Sequence, residues 1–358
     1  MPVAFYAPMK PPGHPVPSGD RNMARAILAA LSYAGADPVL ASTLQTRDGR
    51  GDAARQRDLL QAAEAEVQRL IPVGSAAGWQ AWVSYHNYYK APDLVGPAVT
   101  KALGIPYLQI ESTRARKRLQ GRWAKFAQAA EDAADAADVI FYFTQHDAVA
   151  LKHGASTSQR LIHLRPFIAQ NPKPYAYAGK GSMLSVGMMR GGDKLASYQV
   201  IAETLAYLNG TDWHLDIAGD GPAREQVETL MKPFGAQVTF LGACAPDQLQ
   251  RAYENASLFF WPGVNEAFGM AYIEAQAAGL PIIAQDRPGV RDILPQGHYP
   301  SPDLGGAPLA DALRRNLDDP NTRLAASKAS YANAIENHML PAAAKTLVLG
   351  LNAAGVTL

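Results

Sequence analysis

Short apolar runs and amphipathic segments alternate along the whole chain. Buried strands are predicted at VAFYAP, DPVLAS, IPYLQI, DVIFYF, SMLSVG, WHLDIAG, QVTFLG, LFFWP and PIIA, and in a further run that ends near Tyr85. Met23, Ile27 and Leu31 have the spacing of a helix after the first strand, and a polar helix is predicted from about Asp52 to Leu70. This alternation predicts an α/β protein with parallel sheets.

The chain is long enough for two such domains. Its 358 residues exceed what one ordinary core accommodates. From residue 166 to residue 181 the composition changes to Pro, Gly, Lys and Tyr, which is typical of a linker between domains. We therefore expect a first domain at residues 1–168, a linker at 169–181, a second domain at 182–335 and a helical segment at 336–358.

Composition and charge exclude several classes of protein. Hydrophobic residues make up 48% and charged residues 18%, as in a soluble globular protein, and the net charge of +1 gives no strong attraction to nucleic acid. The single cysteine, Cys244, excludes an internal disulfide and a cysteine-cluster metal site. The first residues lack the pattern of a signal peptide, and no uncharged apolar run reaches membrane-spanning length. We expect a cytoplasmic protein.

The stretch from Leu258 to Leu294 combines a predicted strand with a predicted helix. LFFWP ends at Pro262 and Gly263, and the segment AFGMAYIEAQAAG that follows is rich in helix formers. Glu266 lies just before this helix and Glu274 within it, about 12 Å away if all eight intervening steps are helical.

Amide groups around Phe268, Gly269 and Met270 would form the N-terminus of this helix, where a phosphate group is favoured. Two carboxylates with an anion site between them suit a ligand that has hydroxyl groups at both ends and phosphate in the middle. A nucleoside diphosphate sugar has this chemistry.

Glu266 and Glu274 lie within NEAFGMAYIEAQAAGLPIIA, which resembles the E-x7-E signature of the retaining family 4 glycosyltransferases. The resemblance includes the Phe-Gly after the first Glu, the Glu-Ala in the helix and the Ala-Gly-Leu-Pro with which the helix ends. It implies the GT-B architecture, in which two Rossmann-like lobes have parallel sheets that face a central cleft. The first lobe would bind the acceptor, the second would bind the nucleotide sugar, and the C-terminal helical segment would pack back on the first lobe.

The resemblance also implies roles for individual residues. Arg190 and Lys194 follow the strand SMLSVG and would neutralise the leaving diphosphate, Glu266 would orient the hydroxyl groups of the donor sugar, and Glu274 would bind the ribose. The other candidate donor contacts are glycines or lie at strand ends and at the predicted helix start: Gly19, Gly219, Gly221, Phe240, Ala267, Phe268, Gly269 and Met270. The family also places a histidine near the donor sugar, and His86 falls at that position.

Polar residues follow several predicted strands of the first half. Glu111 follows one strand, with Arg114 just beyond, and Thr144 and His146 follow another. The carboxyl ends of parallel strands meet at one sheet edge, which is the usual place for ligands in open α/β sheets. These four residues are therefore candidate acceptor contacts.

A dense basic run extends from Arg114 to Lys125. Written as a helix, it places Arg118, Arg122 and Lys125 on one face, with apolar residues on the neighbouring face. Such a helix could meet anionic lipid at the inner face of a membrane or an acidic acceptor. We favour the other interpretation, a solvated face whose charge is balanced by the acidic residues downstream, and the membrane interpretation stays open.

The predicted function is transfer of a sugar, with retention of configuration, from a nucleoside diphosphate donor to a glycan, lipid or small-molecule acceptor. UDP- and GDP-sugars are the expected donors, and no cofactor or metal is expected, because Arg190 and Lys194 supply the positive charge. The resemblance implies that the leaving phosphate accepts the acceptor's proton. Two alternatives stay open, namely a GT-B epimerase acting on a nucleotide sugar and a catalytically silent donor-binding or scaffold protein. The oligomeric state is undetermined by the sequence.

Overall fold

A computed structural model describes residues 1–16 and 18–358. The chain divides into two compact units, the first formed by Met1–Asn171 and Leu340–Leu358 and the second by Pro172–Met339. The sequence-based boundary at residue 168 thus lies three residues before the observed one, and the C-terminal segment rejoins the first unit at Leu340 rather than at 336.

Strands and helices alternate along the described residues. The strands are β1 Pro2–Tyr6, β2 Asp37–Ser42, β3 Ala81–Asn87, β4 Tyr107–Ser112, β5 Val139–Tyr142, β6 Arg160–His163, β7 Met183–Val186, β8 Leu215–Ala218, β9 Val238–Gly242, β10 Leu258–Phe260 and β11 Ile282–Ile283. The helices are α1 Gly19–Tyr33, α2 Ala53–Ala77, α3 Gly96–Leu103, α4 Ala124–Ala136, α5 Gln145–Gly154, α6 Asp193–Ala206, α7 Arg224–Met231, α8 Pro246–Asn255, α9 Met270–Ala277, α10 Ala307–Asp318, α11 Pro320–Asn337 and α12 Leu340–Ala353. Short 3-10 turns occupy Arg116–Arg118, Lys232–Gln237, Arg291–Ile293 and Pro302–Leu304.

The first unit contains a six-stranded sheet in the order β2-β1-β3-β4-β5-β6, and every strand pair in it is parallel. Its central strands are buried along their length, as expected for a parallel sheet covered by helices on both faces. Strand β6 was not predicted from the sequence. Its four residues RLIH lie at the sheet edge and are exposed or half-buried, so they lack the apolar run that marks the other strands.

The second unit contains a five-stranded parallel sheet in the order β11-β10-β7-β8-β9. Strands β7 and β10 are neighbours in this sheet although 71 residues lie between Val186, the end of β7, and Leu258, the start of β10. Their carboxyl ends therefore bring together two loops that are distant in sequence. Both sheets agree with the predicted α/β class, which is confirmed.

Residues 164–182 contain neither helix nor strand, in agreement with a linker-like composition. Much of this segment is anchored within the second unit. Tyr175 Oη lies 2.8 Å from Ser327 Oγ, and the Tyr175 ring lies 5.2 Å from that of Tyr331. Tyr177 packs beside Gly279 and donates a hydrogen bond to the carbonyl of Ser257. The tyrosines that gave the segment its unusual composition thus fix it to α9 and α11.

The last helix, α12, packs against α1, β5 and β6 of the first unit. Gly350 allows this approach, because a Cβ atom at that position would lie 2.0 Å from the ring of Phe141. Burial of Leu347 and Leu351 adds an apolar face to the same contact.

Two predicted helices differ from the observed ones. Helix α2 continues past Leu70 to Ala77, passes through Pro72 and ends only where Gly78 takes a left-handed conformation. Helix α9 begins at Met270 and not at Ala267, because Asn265 and Gly269 have positive φ angles of 48° and 74°, which a helix excludes. The distance of about 12 Å expected between Glu266 and Glu274 on one continuous helix therefore does not apply.

The basic run does not form the predicted amphipathic helix. Only Arg116–Arg118 is helical, as one 3-10 turn, and α4 starts at Ala124 after a turn at Gly121, whose φ is 81°. Instead of forming a face with Lys125, the side chains of Arg118 and Arg122 lie over the ring of Trp123. The left-handed turn at Gly121 thus interrupts the helical periodicity of this segment.

Candidate functional site

A cavity of about 260 Å³ lies in the second unit beyond β7 and β10. Its walls are the loop Arg190–Lys194, which enters α6, and the loop Val264–Glu266, which follows β10. Gly192 precedes α6 with a φ of 77°, and Lys194 lies in the first turn of that helix. The free amides at a helix N-terminus and two nearby cations make this cavity attractive to an anion.

The two loops are held together by side chains. Asn265, at a φ of 48°, directs its Nδ2 atom to Asp193 Oδ1 at 2.8 Å. The amide of Val264 donates to Ser197 Oγ at 3.1 Å. Because both acceptors belong to the first turns of α6, the loop after β10 is fixed to the N-terminus of that helix.

Lys194 and Glu266, both predicted site residues, meet in this cavity. Lys194 Nζ forms an ion pair with Glu266 Oε1, and the two side chains are only 19% and 13% exposed. Trp261 Nε1 donates to the same carboxylate oxygen at 3.0 Å, and Lys194 Nζ lies 5.3 Å from the centre of the Trp261 ring. Arg190 lines the same cavity with an exposed side chain. The side chains of Lys194, Glu266 and Trp261 thus contact one another, while Arg190 is exposed to solvent.

Glu274 lies on α9, in a setting that favours its neutral form. Its Oε2 atom accepts a hydrogen bond of 2.9 Å from the hydroxyl of Tyr253 on α8. Burial raises the pKa of Glu274, and the bond from Tyr253 only partly opposes this shift. The residues before α9 are more accessible: Ala267 is exposed, and Phe268, Gly269 and Met270 are half-buried.

Gly219 and Gly221 follow β8 and are required by backbone packing. A Cβ atom at Gly219 would lie 1.9 Å from the carbonyl oxygen of Gly187, and one at Gly221 would lie 2.3 Å from that of Met189. The backbones are joined there by hydrogen bonds, including Met189 N to Asp220 O at 2.9 Å. These glycines allow the loop after β8 to lie directly on the loop that carries Arg190. Phe240, half-buried in the edge strand β9, pairs with Ile217.

In the first unit, His86 and Glu111 lie together at the carboxyl edge of the sheet. His86 Nδ1 is 3.1 Å from Asp20 Oδ1 and 3.7 Å from Glu111 Oε2. Both His86 and Glu111 have positive φ angles, of 68° and 58°, although they are the penultimate residues of β3 and β4. Such angles in residues other than glycine are strained and often mark functional sites.

The carboxylates around His86 favour its charged form. Burial alone would lower the pKa of His86, but the negative charges of Glu111 and Asp20, with a smaller effect of Asp147, raise it overall. The pKa of Asp20 is lowered, because its contact with His86 outweighs burial. Burial raises the pKa of Glu111. The cluster therefore holds a proton on His86 at a pH where a free histidine would lose it.

We expect Asp20→Asn to lower the pKa of His86 and to weaken the fold over a defined pH range. A raised histidine pKa stabilises the folded state fully below about 6.5, and this contribution is lost as the pH rises through the folded pKa. The lowered pKa of Asp20 contributes fully above its ordinary value of about 3.9, and this contribution is lost as the pH falls through the lower folded pKa. The variant should therefore lose about 1 kcal/mol of unfolding free energy between about pH 4 and pH 6.5, and less at higher pH.

The measurement is an NMR titration of the His86 imidazole, assigned with His86→Gln, together with denaturant unfolding at pH 5.5 and pH 8.5. Asp58→Asn is the matched control, since Asp58 is an exposed carboxylate of the same unit. An unchanged midpoint for His86 in Asp20→Asn would show that the pair does not set its protonation.

The remaining candidates of the first unit have varied surroundings. Gly19 opens α1 behind the cap Ser18, with open space where a side chain would be. Thr144 caps α5 and donates to Asp147 at 2.6 Å, while His146 is exposed in the first turn. Arg114 turns toward α4, where its Nη1 atom lies 2.9 Å from Glu131 and 2.7 Å from Asp135. The charge of Arg114 is thus neutralised within the unit.

Sequence reasoning missed several members of these clusters. Asp20, Trp261, Tyr253 and Asn265 were not among the predicted site residues. Trp261 and Asn265 follow a strand of a parallel sheet, which is a signal that could have identified them. Asp20 and Tyr253 lie on helices, and only the three-dimensional packing brings them to His86 and Glu274.

Within residues 1–16 and 18–358, no three His, Cys, Asp or Glu side chains are grouped as a metal ion would require. In the same described residues, no helix combines the length and the apolar character needed to cross a membrane.

Comparison with known proteins gives partial matches in sequence. The chain is 24% identical over 258 residues to the alpha-D-kanosaminyltransferase of Streptomyces kanamyceticus, covering 67% of this chain and 66% of that protein. Across the first three curated relatives that it matches, the chain spans between 15% and 66% of their length. The family described as "Glycosyl transferases group 1" matches residues 193–333, a range that contains Lys194, Glu266 and Glu274.

Solved structures match nearly the whole chain. Sucrose-phosphate synthase from Thermosynechococcus elongatus has a TM-score of 0.67 at 18% identity and covers 97% of both chains. HepE of Anabaena, solved in complex with UDP-glucose, has a TM-score of 0.65 at 14% identity, covering 99% of this chain and 100% of its own. The chain therefore has the GT-B fold, and over residues 193–333 its second unit matches the glycosyl transferases group 1.

Proposed function

We propose that this protein is a retaining glycosyltransferase that uses a nucleoside diphosphate sugar as donor. The observation that carries the proposal is the cavity at the N-terminus of α6, in which Lys194, Glu266 and Trp261 hold one another beside Arg190. The match of residues 193–333 to glycosyl transferases group 1 supports it, as do the named relatives. HepE, which shares the fold, was solved with UDP-glucose.

The cations act on the leaving group. When the bond between the sugar and the diphosphate breaks, negative charge develops on the phosphate oxygen. Lys194, Arg190 and the amides at the start of α6 are in place before the reaction, so they stabilise that charge more than they stabilise the ground state. Glu266 and Trp261 fix the position of Lys194, which would otherwise be a flexible side chain. This supply of charge is our reason to propose a reaction without a metal ion.

The carboxylates bind hydroxyl groups of the donor. Glu266 uses Oε1 for Lys194 and Trp261, which leaves Oε2 to accept from a sugar hydroxyl. Glu274 uses Oε2 for Tyr253 and has Oε1 for the ribose. The amides at Gly269 and Met270, at the N-terminus of α9, would face phosphate or sugar, since Gly269 carries no side chain to obstruct them.

In the proposed reaction, the bond between the anomeric carbon and the phosphate oxygen breaks with its electron pair on the phosphate. An acceptor hydroxyl oxygen forms the new bond on the same face of the sugar, and its proton passes to the leaving phosphate. Atoms and charge balance without a protein base. His86, in the first unit, would hydrogen-bond the transferred sugar, and Glu111, Thr144 and His146 would contact the acceptor.

Binding of the donor nucleotide tests this proposal. UDP, GDP, ADP and TDP are added to the purified protein, with and without EDTA, and the unfolding temperature is recorded. One nucleotide, expected to be UDP or GDP, should raise this temperature in both conditions, because a ligand that binds only the folded state stabilises it. At a concentration of about 100 times Kd the gain is about 2.7 kcal/mol. If no nucleotide stabilises the protein, the donor site does not exist; if EDTA abolishes the effect, the metal-free mechanism is wrong.

A further inference from the structure

Four aromatic rings of the first unit form a continuous series that begins at His86. The ring centres of His86 and Tyr88 are 4.9 Å apart, those of Tyr88 and Tyr89 are 5.6 Å apart, and those of Tyr89 and Trp123 are 5.7 Å apart. Tyr88 and Tyr89 are half-buried, so part of each ring is open to solvent. Partly exposed rings in series are suited to stack against the apolar faces of sugar rings.

Three cations surround the far end of this series. Lys90 Nζ lies 5.6 Å from the centre of the Tyr89 ring and 5.5 Å from that of Trp123. Arg118 Cζ lies 5.1 Å and 5.5 Å from the same two centres, and Arg122 Cζ lies 4.7 Å from that of Trp123. We call Tyr89, Lys90, Arg118, Arg122 and Trp123 the Trp123 cluster.

The positive charge of this cluster has no carboxylate to balance it. In the described part of the chain, Lys90, Arg118 and Arg122 form no ion pair, and the Nε atom of Arg118 is buried without a hydrogen-bond partner. The acidic residue Asp48 lies beside the cluster, because Trp123 Nε1 donates a hydrogen bond of 3.2 Å to its backbone carbonyl. The carboxylate of Asp48 accepts from the amides of Arg50, Gly51 and Asp52 and from Gln56, so its acceptor sites are used.

One of these cations, Arg122, is also fixed in position together with the segment that carries it. The side chain of Arg122 packs on Gly51, where a Cβ atom would lie 2.3 Å from it, and Arg122 Nη1 donates to the carbonyl of Arg50 at 3.2 Å. Gln56 Nε2 donates to the carbonyl of Arg122 at 3.0 Å. Trp123 is 8% exposed and anchors the segment. Three like charges close to the rings of Tyr89 and Trp123 repel one another, and an anion placed among them would relieve that repulsion.

We propose that the Trp123 cluster binds the phosphate or carboxylate group of a saccharide acceptor, whose sugar rings stack along Tyr89 and Tyr88 toward His86. Guanidinium groups match the geometry of phosphate and carboxylate oxygens, and aromatic rings complement sugar faces. The inference rests on the proposed function, because it names the class of its acceptor: a water-soluble anionic saccharide.

The test uses glucose 6-phosphate, glucuronic acid and inorganic phosphate as probes, with glucose as the neutral counterpart. Binding is followed by the NMR signal of the Trp123 indole, assigned with Trp123→Phe, at millimolar ligand. We expect the anionic probes to shift this signal with saturation and glucose to have little effect. Arg118→Gln and Lys90→Gln should each raise the dissociation constant by about tenfold, as expected when a charged hydrogen bond to the ligand is lost.

Lys117→Gln and Lys125→Gln are the matched controls. Both lysines belong to the same basic run and are exposed, but neither lies over the rings, so each variant removes one charge and should leave binding within about twofold. Equal weakening by these controls would overturn the proposal, because it would show only a general effect of charge. Equal response to glucose and glucose 6-phosphate would also overturn it, as would binding to phosphatidylglycerol vesicles without a response to any soluble anion.

Failure of this inference is distinguishable from failure of the proposed function. Nucleotide binding involves the second unit and is measured separately in each variant by thermal stabilisation. A wild-type protein that binds a nucleotide but shows no preference for anionic probes refutes the acceptor class alone. A wild-type protein that binds no nucleotide refutes the glycosyltransferase, and with it the assignment of the cluster as an acceptor site.

Discussion

Replacement of Lys194 by alanine is expected to lower the rate of sugar transfer by about 100- to 1,000-fold, the usual cost of removing one preorganised group that stabilises transition-state charge. Lys194 is held by Glu266 and by the ring of Trp261, so its charge needs no rearrangement when the diphosphate leaves. The variant also leaves the Glu266 carboxylate, 13% exposed, without its cation. Turnover is measured at saturating donor, together with the unfolding temperature of each protein.

Lys173→Ala is the matched control for this variant. Lys173 also pairs with a glutamate of the second unit, Glu254, at 3.6 Å, but their side chains are 63% and 50% exposed. Such an exposed pair contributes about 0–1 kcal/mol to stability and should not affect turnover. If Lys194→Ala keeps the wild-type rate while the protein stays folded, the proposed role in leaving-group stabilisation is wrong.

Gly219→Ala is expected to destabilise the second unit by about 3 kcal/mol, the upper end of the usual cost of overpacking. The added Cβ atom would lie 1.9 Å from the carbonyl oxygen of Gly187, and a backbone atom cannot rotate away as a side chain does. For a unit of this size, the unfolding temperature falls by about 2–4 °C for each kcal/mol, so a decrease of about 6–12 °C is expected. Because the displaced loop carries Arg190, donor binding should weaken as well.

Gly191→Ala provides the comparison for Gly219→Ala. Gly191 lies in the loop after β7, on which the loop of Gly219 packs, but a Cβ atom at Gly191 would have no neighbour within 4 Å. Its unfolding temperature should stay within about 2 °C of wild type, since surface substitutions of this kind change stability by about 0.5 kcal/mol or less. Equal stability of the two variants would show that the backbones beside β7 and β8 separate easily, contrary to the observed packing.

The sequence predicted the sheets well because parallel buried strands are continuous apolar runs. Each run from VAFYAP to PIIA became a strand, and the α/β architecture followed from their alternation with helices. Strand β6 was missed for the same physical reason: at a sheet edge, RLIH needs no apolar run to be stable. The pattern of apolar residues in the sequence indicates which strands are buried, and an edge strand such as β6 is little buried.

Local conformation was harder to predict than strand position. The basic run has helical periodicity, yet a left-handed turn at Gly121 interrupts it, and Arg118 and Arg122 lie over the ring of Trp123. Positive φ angles at His86, Glu111 and Asn265 depend on packing: Asn and His adopt them more readily than most residues, but the residue type alone does not predict them. The glycines were identified as site residues from a resemblance, whereas the structure shows that Gly219 is required by the carbonyl of Gly187.

Candidate site residues were predictable where they follow strands of a parallel sheet. Lys194 and Glu266 were chosen for this reason and for the family resemblance, and the structure joins them in one ion pair. Partners supplied by helices, such as Asp20 for His86 and Tyr253 for Glu274, were beyond the sequence pattern. The contacts of Asp20 and Tyr253 depend on how their helices pack, and the spacing of residues in the sequence does not predict that packing.

The most direct test of the account is the configuration of the sugar released from the donor. The nucleotide sugar chosen by the binding experiment is incubated with the protein without an acceptor, so that water takes the sugar, and proton NMR spectra are recorded before the free sugar mutarotates. We predict that the first anomer released has the configuration of the donor and that Lys194→Ala lowers the rate of its release by about 100- to 1,000-fold. Release of the opposite anomer, or no release with wild-type protein that binds the nucleotide, would contradict a retaining glycosyltransferase.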